Sequence, residues 1–170
     1  MLYMSELKYN DLLSPTLSLD DYFELYKDKP VIKSNFESYT PKLEILDKIK
    51  KILKEKDQKL KIIALGADWC PDCTSNVPYM IKIIKIIDSD DVTLQILYGI
   101  VVNALHKPGE VAWHKKRSPP EAIDPKFGLK AIPTFYFFNK TGDLIGLIVE
   151  HPKWHSTLEE DMLEILEKKM

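Results

Sequence analysis

Residues 61 to 102 constrain the fold most. A short apolar, β-branched run, KIIALGA (61 to 67), is followed from Pro71 to about Asp88 by a helical pattern. Val77, Met80, Ile81, Ile84 and Ile87 fall there on overlapping apolar faces, with Pro78 expected to kink the helix. A second apolar run, VTLQILYGIVV (92 to 102), comes next and is expected to end near Gly99. Runs this short and this β-branched predict strands covered on both faces, and strand, helix, strand is a βαβ unit. The only two cysteines, Cys70 and Cys73 in ADWCPDC (67 to 73), fall at the junction of first strand and helix.

The remaining elements attach to that unit. Ser18 before Asp20 and Asp21 predicts a short helix in SLDDYFELY (18 to 26), and DKPVIKSNFESY (28 to 39) reads as a loop. Thr40 and Pro41 open a helix that carries Leu43, Leu46, Ile49 and Leu53 to about Lys56. NALHKPGEVAWHKKRSPPEA is rich in Pro and polar residues with no clean period, so 103 to 123 reads as an insertion. DPKFGL (124 to 129) allows one helical turn, TFYFF (134 to 138) a strand, and NKTG a turn into a second strand, DLIGLIVE (143 to 150). Ser156 and Glu159 form a capping-box pattern ahead of Leu158, Met162, Ile165 and Leu166 on one helical face. The order is α, β, α, β, short α, β, β, α, with no internal repeat.

With 170 residues, 45% hydrophobic and 29% charged, a single domain spanning 1 to 170 can bury its own core. A formal net charge of −2 supplies no field for nucleic acid, and no apolar stretch is long enough to span a bilayer. The opening MLYMSELKYNDLLSP lacks the basic start and apolar run of a secretory signal, so a cytoplasmic location is expected. In that reducing setting two cysteines are catalytic or metal-binding before they are a structural staple.

A thiol attacks a disulfide as thiolate, and the free N–H groups of a helix N-terminus favour that form. Three-residue spacing puts Cys70 at the helix start and Cys73 one turn further in. Cys70 would attack and form a mixed disulfide, which Cys73 would resolve. Two other readings stand beside this one. The pair could be buried apolar cysteines, or it could bind a metal with two of His106, His114, His151 and His155, none of which is at a standard finger spacing.

Four features carry a family resemblance: Trp69 before the first cysteine, Pro78 five residues after the second, KFGLKAIPTFYFFNKTGDL (126 to 144), and the closing amphipathic helix. Over about residues 60 to 170 the chain resembles the thioredoxin family. The resemblance implies a thioredoxin-like three-layer α/β/α sandwich with a central mixed β-sheet. Added to it would be an N-terminal helical extension over about 1 to 40 and the 103 to 123 insertion before the cis-proline loop. It implies a cis peptide bond at Pro133 facing the CxxC pair, with the Ile132 backbone pairing an extended substrate and Pro133 keeping metal from the thiolates. Trp69, Pro71, Asp72, Ile132 and Pro133 are thus the expected substrate contacts, and neither metal nor other cofactor is expected.

The departures are specific. The family's buried Asp six residues before the first cysteine is Ala64 here, so the usual internal proton acceptor is missing. Pro71 sits where glutaredoxins, with Cys-Pro-Tyr-Cys, have proline, and Asp72 is typical of neither family. Glu150 and His151 follow the last strand, where the family has a small loop beside the CxxC pair; they are either solvated loop residues or replacements for that acceptor. Trp69 reads as contact surface and Trp113 as a packing anchor. His114 and the KKR run at 115 to 117 are a solvated loop or a site for acidic partners. The implied function is reduction of protein disulfides, with electrons from a donor such as a thioredoxin reductase or a low-molecular-weight thiol. The alternatives are a glutaredoxin-like reductase of low-molecular-weight-thiol disulfides and a non-enzymatic binding module.

Overall fold

The computed structural model describes residues 6 to 170. Residues 1 to 5, the first part of the expected N-terminal extension and of the segment read for a leader, lie outside the described residues. The elements in order are α1 (Leu19–Leu25), α2 (Pro30–Ser38), α3 (Leu43–Glu55), β1 (Leu60–Leu65), α4 (Pro71–Ile87), β2 (Val92–Leu97), β3 (Thr134–Phe138), β4 (Leu144–Val149) and α5 (Leu158–Lys169). Single 3₁₀ turns lie at Tyr9–Asp11 and Pro120–Ala122.

The sheet runs β2-β1-β3-β4 and is mixed: β1 pairs β2 in parallel and β3 in antiparallel, and β3 pairs β4 in antiparallel. The βαβ unit supplies the parallel pair, and the NKTG turn supplies the hairpin. In that turn Asn139 Oδ1 accepts from the N–H groups of Thr141 (3.1 Å) and Asp143 (2.9 Å), holding the chain while Gly142 takes a positive φ. All five residues of β3 are buried. Tyr136 and Phe138 share one face and meet Phe127 and Tyr9 edge-on; Phe135 and Phe137 face the other way and are equally inaccessible. Both sides of the sheet are therefore covered, as an α/β sandwich requires. Among the described residues no helix is long and apolar enough to cross a membrane.

Several boundaries differ from expectation. The 28 to 39 segment is not a loop but α2: Pro30 begins it, where a missing N–H costs nothing, and the helix packs against α4. α3 starts at Leu43, after Pro41. β1 closes at Leu65, and β2 closes at Leu97, two residues before the expected end at Gly99. The 124 to 129 segment is a turn in which Phe127 and Gly128 donate to the Asp124 carbonyl; the helical turn comes earlier, at Pro120–Ala122. The cap of α5 is Thr157, which accepts from Glu160 N–H at 3.3 Å, one residue beyond the expected Ser156 and Glu159 pattern.

Glu159 is released by that shift to turn inward, where it is fully buried and accepts from the Tyr39 hydroxyl and from Lys42 N–H at 2.7 Å. A second buried acid, Glu121, accepts from Leu13 N–H (2.8 Å), Ser14 N–H (2.9 Å) and the Ser14 hydroxyl (2.6 Å). Between these anchors Leu17 forms an antiparallel bridge with Ile96 along the outer edge of β2. The N-terminal segment is thus strapped across the domain by polar bonds that apolar periodicity does not report.

Candidate functional site

Cys70 is the N-cap of α4, in extended conformation, with its carbonyl accepting from Thr74 N–H at 3.0 Å. Pro71 follows at the first helical position. Cys70 is 8% exposed as a residue, and its thiol lies 3.5 Å from the Ile132 carbonyl, toward which it donates. Cys73, one turn inside, has no exposure; its Sγ accepts from the Ala67 N–H at 3.5 Å. Both are free thiols. Burial pushes the Cys73 thiol well above the usual range, and the neighbouring Cys70 and Asp72 raise it further. The helix start therefore leaves Cys70 slightly exposed and buries Cys73 completely.

The Ile132–Pro133 peptide bond is cis. The loop around it is fastened at both ends: Thr134 Oγ1 donates to Ala131 O at 2.7 Å, and Glu150 N–H donates to Pro133 O at 2.6 Å. Glu150 reaches Pro133 from a left-handed backbone (φ 68°), a conformation that costs a residue with a side chain about 1 kcal/mol. Glu150 and His151 therefore stand beside the cis-proline. The His151 ring bonds the carbonyl of Pro152, and no hydrogen bond joins either side chain to a sulfur among the described residues.

Trp69 is 51% exposed while its indole N–H donates to Ile100 O at 2.9 Å, so the ring is held in place at the surface. Pro71 is exposed and Asp72 half-buried in the first turn. The six residues Trp69, Cys70, Pro71, Asp72, Ile132 and Pro133 thus come together at the N-terminus of α4. Ala64 is fully buried in β1 between Ile96 and Phe135, and carries no titratable group.

The back of the site comes from residues that motif reading passed over. A Cβ on Gly66 would lie 2.9 Å from Cys73 Sγ and 3.0 Å from the Tyr98 ring, so only glycine lets β1 pass this close. Tyr98 is buried, shares a 3.0 Å hydroxyl contact with Tyr22 of α1, and donates toward the Cys73 carbonyl at 3.5 Å. From α2 and its cap, Lys29 pairs with Asp68 at 3.2 Å and Asn35 donates to Thr74 O at 2.9 Å. The signal available for Asn35 was Pro78: a proline inside a helix leaves the carbonyl four residues earlier without its partner. Among the described residues no cluster of three or more His, Cys, Asp or Glu is placed to hold a metal ion.

A family model described as thioredoxin matches residues 16–97, just under half of the chain, taking in α1, α2, the CxxC turn and β2. No curated protein matches the sequence significantly. Among solved structures, a protein of unknown function, PA1234, from Pseudomonas aeruginosa is 15% identical, with TM-score 0.60 over 91% of this chain and 99% of its own. An HIV epitope-scaffold is 16% identical, with TM-score 0.63 over 96% of this chain and 99% of its own. A thiol:disulfide interchange protein of the thioredoxin family from Chlorobium tepidum is 23% identical, with TM-score 0.42 over 65% and 79%.

Proposed function

We propose that this chain, a thioredoxin-like protein, is a thiol–disulfide oxidoreductase that reduces protein disulfides through a Cys70/Cys73 cycle. The observation that carries the reading is the pairing of a slightly exposed cysteine at a helix N-terminus, against the Ile132 carbonyl and the cis-proline, with a sequestered thiol one turn behind it.

The Cys70 thiolate attacks one sulfur of the substrate disulfide, forming a mixed disulfide and releasing the other sulfur as thiolate, which takes up a proton. Cys73 then gives up its proton and attacks Cys70 Sγ. The Cys70–Cys73 disulfide forms and the second substrate sulfur leaves as thiolate, so two electrons have passed to the substrate. A thiol or dithiol donor, such as a thioredoxin reductase or a low-molecular-weight thiol, restores the pair. The high proton affinity of buried Cys73 keeps it a thiol until the mixed disulfide forms, which protects the intermediate long enough to be useful. Trp69, Pro71 and Asp72 form the contact rim, and the Ile132 backbone pairs the substrate segment. Glu150 and His151 are the titratable groups beside Pro133, and we assign them proton transfer. An unchanged pH dependence of Cys70 alkylation in Glu150→Gln and His151→Ala would remove them. We assign it a reducing, cytoplasmic setting, where a cysteine pair is catalytic before it is a structural staple.

Cys73→Ser should accumulate mixed disulfides with protein substrates, resolved by mass under non-reducing conditions. Wild-type protein inert toward every disulfide offered would overturn the reading. The second reading, a reductase of low-molecular-weight-thiol disulfides, is favoured by Pro71 between the cysteines. It predicts activity on glutathione-capped substrates that survives loss of Cys73.

A further inference from the structure

Within the segment between β2 and the cis-proline loop, residues 103 to 117 carry Lys107, Lys115, Lys116 and Arg117 against one acid, Glu110. Glu110 is occupied within the loop, its Oε1 accepting from Lys107 N–H at 2.7 Å. Ten lysines elsewhere are in ion pairs, and none of these four cations is, among the described residues. In a chain of net charge −2 this is a local reversal of sign.

Its position is defined by backbone bonds. Lys115, Lys116 and Arg117 occupy an exposed turn whose two ends are both held to Val101: His114 N–H donates to Val101 O at 2.6 Å, and Ser118 Oγ accepts from Val101 N–H at 3.0 Å. The carbonyl just before, that of Ile100, accepts the Trp69 indole. On the other side the indole of Trp113 donates to Leu129 O at 2.8 Å, three residues ahead of Ile132. The cationic turn is therefore built onto both walls of the Cys70 site. A cleft of about 580 Å³ opens beside it, lined by Asn103, Trp113, His114, Lys115 and Lys116, with Glu110 also on its wall.

We propose that this turn selects protein disulfides flanked by acidic residues, the carboxylates lying along Lys115, Lys116 and Arg117 while the disulfide reaches Cys70. The proposal rests on the disulfide-reductase reading and names its substrate class. A protein segment fits better than a small thiol because the three cations are consecutive residues of an exposed turn, whose side chains cannot all point the same way. Charges within about 8 Å of a partner remain effective at physiological salt.

The test uses full-length protein and three peptides with the same internal disulfide flanked by Asp and Glu, by Ser, or by Lys. The readout is the ratio of kcat/KM values within each protein, so a general loss in a variant cancels. Wild type should favour the acidic peptide over the basic one by about tenfold at low salt, with the ratio falling toward one as salt rises. A Lys115→Glu, Lys116→Glu, Arg117→Glu variant should invert the order. Equal rates on all three peptides at low salt would overturn this proposal and leave the reductase reading standing. No reduction of any peptide would overturn that reading and this proposal with it. Oxidised glutathione reduced faster than the acidic peptide would assign the cations to a small anionic disulfide and overturn the proposal.

Discussion

The side-chain amide of Asn35 donates to the carbonyl of Thr74 at 2.9 Å, filling the acceptor that Pro78 leaves open in the middle of α4. Asn35 belongs to α2, so the helix that carries both cysteines is completed by a residue forty positions earlier in the chain. The bond predicts a thermodynamic coupling. Asn35→Ala should cost about 1 kcal/mol in the wild-type background and close to nothing when residue 78 is changed by Pro78→Ala, because the new N–H then takes the Thr74 carbonyl. Urea unfolding of the four proteins measures this, and equal costs in both backgrounds would refute it.

Gly66 is the second backbone constraint on the site. Gly66→Ala drives a methyl into Cys73 Sγ and the Tyr98 ring and should destabilise the fold by about 1–3 kcal/mol. Removing the sulfur relieves half of the clash, so the penalty should shrink when Gly66→Ala is made in a Cys73→Ala background. A penalty that does not change would mean that Tyr98 alone sets the limit.

The two sulfurs should separate by reactivity. With the reduced native protein, iodoacetamide should modify Cys70 and leave Cys73 untouched across pH 7 to 9, since burial both blocks Cys73 and holds its proton. Peptide mass mapping before and after unfolding reads this directly. Comparable labelling of both residues in the native state would contradict the division of roles.

Glu121 predicts an acid-sensitive strap. Burial raises its pKa, but the Ser14 hydroxyl and the N–H groups of Ser14 and Leu13 outweigh that and hold the carboxyl below its usual value. A folded-state pKa below the unfolded one contributes stability that is present above about pH 4.3 and is lost as pH falls through the lower folded value. Glu121→Gln should therefore cost about 2 kcal/mol at pH 7, with the gap to wild type closing below pH 4. A gap independent of pH would place the effect in packing.

The βαβ unit, the hairpin and the CxxC junction were legible because each is written in local pattern: apolar runs bounded by turn residues, and two thiols at a helix start. What was not legible is long-range polar chemistry. The α2 segment reads as a loop because Pro30 looks like a breaker, and only its packing on α4 makes it a helix. Ser156 and Glu159 have the right spacing for a cap, yet Tyr39 and Lys42, over a hundred residues away, claim Glu159 and move the cap to Thr157. Tyr22 and Tyr98 reach the cysteines through tertiary contact alone, with no spacing rule to announce them.

The Leu17–Ile96 bridge has a consequence for solution behaviour. β2 is an outer strand of the sheet, and Leu17 takes both the donor and the acceptor of Ile96 near its C-terminal end, at 2.8 and 3.1 Å. An apolar edge strand with open backbone groups is a template for pairing with another copy of itself. The strap thus doubles as a guard against self-association: freed from Glu121, it would uncover part of the β2 edge, and two copies could then pair through that strand.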